Sequence, residues 1–289
     1  MDFLEKIKKG SKAGLVCCSN GQPRSQEKEL NMLEHTLMHL GLQPVFSPFL
    51  YEKDGVFSGT GMERAESLMN FYRDDEIAVI FDISGGDIGN EILPFLDFEL
   101  IAEKKKSFWG YSDLTTIINS IYAKTGNCSV LYQIRNLIYQ EAQRQQADFS
   151  DTVFGNGNRL FDFQYEFVQN DKVAGVVAGG NIRCLLKLAG TPYWPDMNEK
   201  ILLLESLGGT APQMTTYFSQ LFQMGVLKQI NGMILGTFTK LEEEGNLEIV
   251  ELAKQYAPKG LPIVKTKEIG HGEDAKGIVI GREMTLERL

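Results

Sequence analysis

Short continuous apolar runs alternate with helix-spaced apolar stripes through the first half of the chain. Residues 13–18 read as a strand, and Glu27–Leu40 follows as a helix with Leu30, Leu33, Leu37 and Leu40 on one stripe. Residues 44–46 form a short extended piece, and 62–72 then set Ala65, Leu68, Met69 and Tyr72 at helical spacing. Residues 77–83 are apolar almost throughout, the pattern of a strand covered on both faces. Residues 90–104 read as a further helix, with Pro94 tolerable near its first turn. After Phe108 and Trp109, Leu114, Ile117, Ile118, Ile121 and Tyr122 fall at i, i+3, i+4, i+7 and i+8, and Gly126 stops that helix.

Repeated βα units of this size imply a parallel sheet with helices on both faces, so residues 1–150 are expected to form an α/β domain. From 141 to 170 the pattern weakens into polar and glycine-rich sequence, and residues 151–170 are assigned as a linker or crossover. Strand-like runs resume at 173–178, 201–204, 232–235, 262–264 and Ile278–Ile280. Between them, helices are marked by Met214, Tyr217, Phe218, Leu221 and Phe222, and by 247–256. Residues 171–289 are therefore expected to form a smaller mixed α/β domain. The fold class is α/β, with a doubly wound parallel-sheet N-terminal domain.

Composition narrows the partners. The 289 residues carry a formal net charge of −9, which argues against nucleic acid, since phosphate binding needs clustered positive charge. Lys104-Lys105-Lys106 is the densest basic run and reads as the solvated end of a helix. No apolar run approaches the roughly 20 residues of a bilayer span, and residues 1–9 lack the apolar stretch of a signal peptide. The four cysteines, Cys17, Cys18, Cys128 and Cys184, show neither CxxC pairing nor metal-ligand spacing. A cytoplasmic protein with free thiols, no metal and no membrane partner is expected.

In an open parallel sheet, ligands collect beyond the carboxyl ends of the strands. Three unusual loops follow three expected strands: residues 19–23, 84–87 and 111–113. If the strands are parallel, these loops share one edge. Ser112 opens a helix directly after a strand, beside the free amides of a helix start, which suits a nucleophile and a developing oxyanion. Local sequence alone favours a helix N-cap for it. Gly85-Gly86 offers either close backbone approach to a reacting carbonyl or a plain turn. Of three histidines, His35 and His39 share a face of one helix, as a solvent-facing pair or a metal pair without further ligands. His271 lies in a glycine-flanked loop of the kind that carries catalytic groups. Glu205 ends the run 201–205, placed either to orient an imidazole or to face solvent.

Together these segments resemble the LD-carboxypeptidase family of serine peptidases, which includes the microcin C self-immunity peptidases. The resemblance runs through residues 61–65, 84–86, 90–98 and 110–115, then 179–181, 190–193, 203–205 and 270–271. It implies Ser112 as nucleophile, Glu205 as orienting acid, His271 as general base, and the amides of Gly86 and Asp113 as an oxyanion hole. It places Asn181 near the substrate and Gly209 where the immunity peptidases tend to carry a lysine. It further implies a swivelling C-terminal domain, a homodimer, no cofactor, and a small peptide substrate. That substrate is a murein tetrapeptide losing its terminal D-Ala in cell-wall recycling, or, in the immunity branch, a peptidyl or aminoacyl nucleotide analogue. A non-catalytic peptide-binding relative is the competing reading.

Overall fold

The computed structural model describes residues 4–245 and 247–288 and contains two six-stranded sheets. The first is built from β1 (Lys12–Val16), β2 (Gln43–Phe46), β3 (Ile77–Asp82), β4 (Ser107–Gly110) and β5 (Ser129–Leu131), all parallel. The second holds β6 (Glu166–Gln169), β7 (Lys172–Asn181), β8 (Lys200–Ser206), β9 (Gly232–Phe238) and β10 (Ile263–Lys265). In it β7, β8, β9 and β10 run parallel, and β6 closes one edge antiparallel to β10. Two more strands follow, β11 (Ile278–Ile280) and β12 (Glu283–Glu287). The protein is thus a two-domain α/β structure with parallel-rich sheets, as the alternation of patterns predicts.

The expected helix Glu27–Leu40 forms over those residues, buries Leu30, Leu33 and Leu37, and stops at Gly41 with φ 101°. Residues 90–104 do not form one helix. A 3-10 segment, Gly89–Phe95, carries Pro94, and Asp97 then caps a separate helix, Phe98–Lys104, by accepting from the Leu100 amide at 2.9 Å. The polar stretch after Glu141 hides a helix, Ala142–Val153. Its buried stripe uses Gln145 and Asp148 beside Phe149, so hydropathy alone does not reveal it. Gln145 accepts from the Tyr132 hydroxyl at 2.8 Å and donates to the carbonyls of Glu273 and Ala275 at 3.0 Å each.

A third correction concerns Ile278–Ile280, assigned above to the second half. β11 instead pairs antiparallel with β5 and closes the first sheet. A strand apolar on both faces fits the interior of either sheet, so its side chains carry no address; here it covers an open edge. The chain then returns to the second sheet, where β12 pairs antiparallel with β7.

The helix Thr115–Thr125 lies between the two sheets and is buried at every position from Thr115 to Ile121. Its apolar face packs in the first domain, while its polar face is stitched to β7. Asn119 donates to the Gly179 carbonyl at 2.9 Å and accepts the Gly179 amide at 2.8 Å, and the Asn181 amide donates to Thr115 Oγ1 at 3.0 Å. One apolar core is continuous through this contact, from Ile117 and Ile118 to Val177 and Leu203. The relation of the two carboxyl edges, and hence of the loops they carry, is held by these bonds.

Candidate active site

Ser112 lies two residues beyond the end of β4 and is the first residue of a 3-10 turn, Ser112–Leu114, that feeds the interdomain helix. Its φ is +53°, in the left-handed region that costs a non-glycine residue about 1 kcal/mol. The N-cap position belongs to Tyr111, so Ser112 is not the cap. This strand-to-helix elbow leaves the first amides of the turn without intrahelical partners.

On the facing sheet, β8 and β9 are out of step between Leu204 and Ser206, with two β9 residues, Gly236 and Thr237, opposite Glu205. Such a bulge re-aims a side chain at the end of a strand. Glu205 is buried, and its Oε2 lies 2.6 Å from His271 Nδ1. Burial disfavours the imidazolium, but the charge and hydrogen bond of Glu205 outweigh it and hold His271 above the ordinary imidazole value of 6.5. The Nε2 atom of His271 is buried without a hydrogen-bond partner among the described residues. Ser112, Glu205 and His271 line one small pocket between the sheets, together with Tyr111, whose ring centroid is 5.6 Å from that of His271. His35 and His39 are exposed on their helix, away from this pocket.

The Gly85-Gly86 loop is shaped by its neighbours. The Asn20 amide donates to the Gly85 carbonyl at 3.1 Å, and Asn20 Oδ1 accepts from the Asp87 amide at 3.0 Å. In a trans peptide the carbonyl and the next amide point oppositely, so the first of these bonds turns the Gly86 N–H away from Asn20. Gly86 has φ 118°, and a Cβ there would sit 2.2 Å from Asn20 Cγ. Only glycine fits.

Sequence reasoning used Asp113 only for its amide and missed its side chain. The carboxylate is fully buried, accepts from Ser19 Oγ and the Gly89 amide at 2.7 Å each, and pairs with Lys187. Burial pushes its pKa up, but the Lys187 ammonium, Ser19 and Gly89 prevail and hold it below the usual carboxylate range. Lys187 also donates to the Asp87 carbonyl at 2.7 Å, while Arg183 donates to the Gly86 carbonyl at 2.9 Å and pairs with Asp87. Two cations four residues apart, directly after Gly179-Gly180-Asn181, therefore reach across the domains to both loops that would carry the oxyanion amides. Their i, i+4 spacing is visible in the sequence, but their target is not. Asn181 is buried and caps the helix Ile182–Leu186, accepting from the Cys184 amide at 3.3 Å. It is not among the residues lining the pocket with Ser112.

Replacing Lys187 by Met leaves the Asp113 carboxylate buried without a counter-ion. Breaking a buried pair in this way is expected to cost about 3–5 kcal/mol at pH 7. In the parent the folded-state pKa is depressed, so the pair's contribution is present above the unfolded value and is lost as pH falls through the folded one. In Lys187→Met the Asp113 pKa rises, so the deficit should shrink as pH falls and Asp113 takes up a proton. Urea unfolding across a pH series measures both.

Residues 13–133 match the LD-carboxypeptidase N-terminal domain and residues 174–286 the LD-carboxypeptidase C-terminal domain. The "Probable murein peptide carboxypeptidase" of Bacillus subtilis is 26% identical over 97% of this chain and 90% of its own length. The microcin C7 self-immunity protein MccF of Escherichia coli is 26% identical over 87% of this chain and 83% of its own. The solved structure of MccF in complex with glutamyl sulfamoyl guanosine superposes with a TM-score of 0.87 at 21% identity, covering 96% of this chain and 93% of that one.

Proposed function

This chain belongs to the LD-carboxypeptidase family and is a serine-type carboxypeptidase hydrolase; from that premise we propose that it releases the terminal D-Ala of murein tetrapeptides. The observation that carries the reading is the assembly of Ser112 from one sheet with the Glu205–His271 pair from the other around a single pocket. In the proposed reaction, His271 Nε2 takes the Ser112 hydroxyl proton as Oγ attacks the carbonyl of the L-centre. The amides of Gly86 and Asp113 receive the oxyanion. Collapse expels the D-Ala amine, which takes its proton from His271, and a water activated by the same imidazole hydrolyses the acyl-enzyme. Glu205 orients the ring and stabilises its protonated form through Nδ1.

The immunity-type reading is less well supported at Gly209. There φ is 115° and a Cβ would meet Met214 Cε at 2.2 Å, so the position is built for glycine and supplies no cation. The test is a side-by-side assay of the purified protein on a murein tetrapeptide and on an aminoacyl sulfamoyl adenosine. D-Ala release with little cleavage of the nucleotide analogue is expected. The opposite preference would transfer the protein to the immunity branch.

A further inference from the structure

Two arginines are buried in the first domain, and they are treated differently. Arg64 is fully buried, pairs with Glu91 and donates to the carbonyls of Cys18, Ser19 and Gly59. It is a neutralised structural cation. Arg135 is only 9% exposed and forms no ion pair with any described carboxylate. Its Nη1 donates to Gln22 Oε1 and Gln26 Oε1, and its Nη2 donates to the Tyr111 hydroxyl, each at 3.1 Å. Its Nε is buried without a partner among the described residues. Three of five N–H bonds are thus visibly spent, all on neutral oxygens.

A buried cation without a counter-charge is costly, and an anion that reached it would relieve that cost. The surroundings specify which side of the molecule that anion enters. Tyr111 precedes Ser112, Gln22 lies in the loop beyond β1, and the next residue, Asn136, donates to the Gly272 carbonyl in the His271 loop at 3.3 Å. The contacts of Arg135 with Gln26 and Tyr111 are part-buried, whereas that with Gln22 is buried, so the guanidinium is least enclosed on the side of Tyr111, which lines the pocket with Ser112 while Arg135 stands behind it. A planar guanidinium matches a carboxylate with two parallel hydrogen bonds.

From this geometry we propose that Arg135 is the receptor for the free terminal carboxylate of the peptide, reached past the Tyr111 hydroxyl. The assignment rests on the reading that the cleft takes a peptide acid, and it makes Arg135 a specificity residue of the same site. The carboxylate bond adds to those from Gln22 and Gln26 and is shared with Tyr111, fixing the scissile bond over Ser112. Endopeptidase action is then disfavoured, because an internal residue has no carboxylate to offer.

The experiment compares N-acetylated tetrapeptides ending in D-Ala as the free acid and as the carboxamide. For the parent protein, kcat/KM for the acid should exceed that for the amide by about 10- to 100-fold, the worth of a hydrogen-bonded charge. In Arg135→Met that ratio should collapse to about one. Loss of acid and amide turnover in parallel, with a lowered Tm, would make Arg135 structural and overturn the proposal. So would a parent protein that does not discriminate. If the parent cleaves neither peptide, the murein reading fails separately, and binding decides: N-acetyl-D-alanine should raise the Tm of the parent, its carboxamide should not, and Arg135→Met should respond to neither. No response of the parent to the acid would refute the receptor. A neutral fluorophosphonate, which needs Ser112 but no carboxylate, reports independently whether the nucleophile is intact.

Discussion

Ser112→Ala should lower kcat for D-Ala release by about 10⁵–10⁶-fold, the loss seen when the nucleophile of a serine hydrolase is removed. Alanine keeps the Cβ that makes φ +53° unfavourable, so the unfolding free energy should move by only a few tenths of a kcal/mol. Ser112→Gly should be equally inactive but more stable, by about 0.5–1 kcal/mol, because glycine enters the left-handed region without a steric penalty. The pair of variants separates two properties of one position. Rate comes from the hydroxyl, and strain comes from the elbow that presents it. Substantial turnover by Ser112→Ala would remove the acyl-enzyme mechanism; equal stability of all three proteins would remove the strain argument. The readouts are single-turnover D-Ala release and equilibrium unfolding in urea.

The second large effect belongs to Glu205. His271 must be neutral to accept the Ser112 proton, and Glu205 holds its pKa above the ordinary 6.5. The acid limb of kcat/KM should therefore lie above pH 6.5, with activity rising as pH increases through it. Glu205→Gln removes the anion and leaves burial dominant, so the limb should move to lower pH. The plateau should fall by about 10⁴-fold, since an amide no longer stabilises the imidazolium or fixes its tautomer. A pH–rate profile of both proteins checks direction and size together. An unshifted limb with a normal plateau would detach Glu205 from the chemistry.

The same pair has the opposite effect on folding. A histidine whose folded-state pKa is raised contributes stability below its unfolded value, and loses it as pH rises through the folded one. The ion pair therefore stabilises the second domain most strongly where His271 is protonated and catalysis is off. The stabilising state of the pair and its working state are different protonation states.

Ser112 also shows how far local sequence reaches. As a serine at a helix start it reads first as a cap; in the structure Tyr111 holds that position and Ser112 sits one residue inside, at positive φ. His271 and Glu205 are 66 residues apart, and their approach to 2.6 Å depends on a strand bulge and a loop that no periodicity announces. Asp113, Lys187 and Arg135 were legible only as ordinary charges in ordinary helices or turns. Their importance comes from burial and from partners 74 residues away in the case of Lys187 and Asp113.

The amino-acid sequence by itself determined the alternating strand and helix pattern, the carboxyl-edge loops of the first sheet and the residue types that define the family. These are local properties, set by side-chain period and backbone preference within a few residues. Tertiary structure alone decided which sheet received Ile278–Ile280, which face of the helix Thr115–Thr125 met the second domain, and which buried charges found counter-ions. Those outcomes follow from long-range packing and from desolvation, whose cost depends on what stands opposite a charge rather than on what precedes it in the chain.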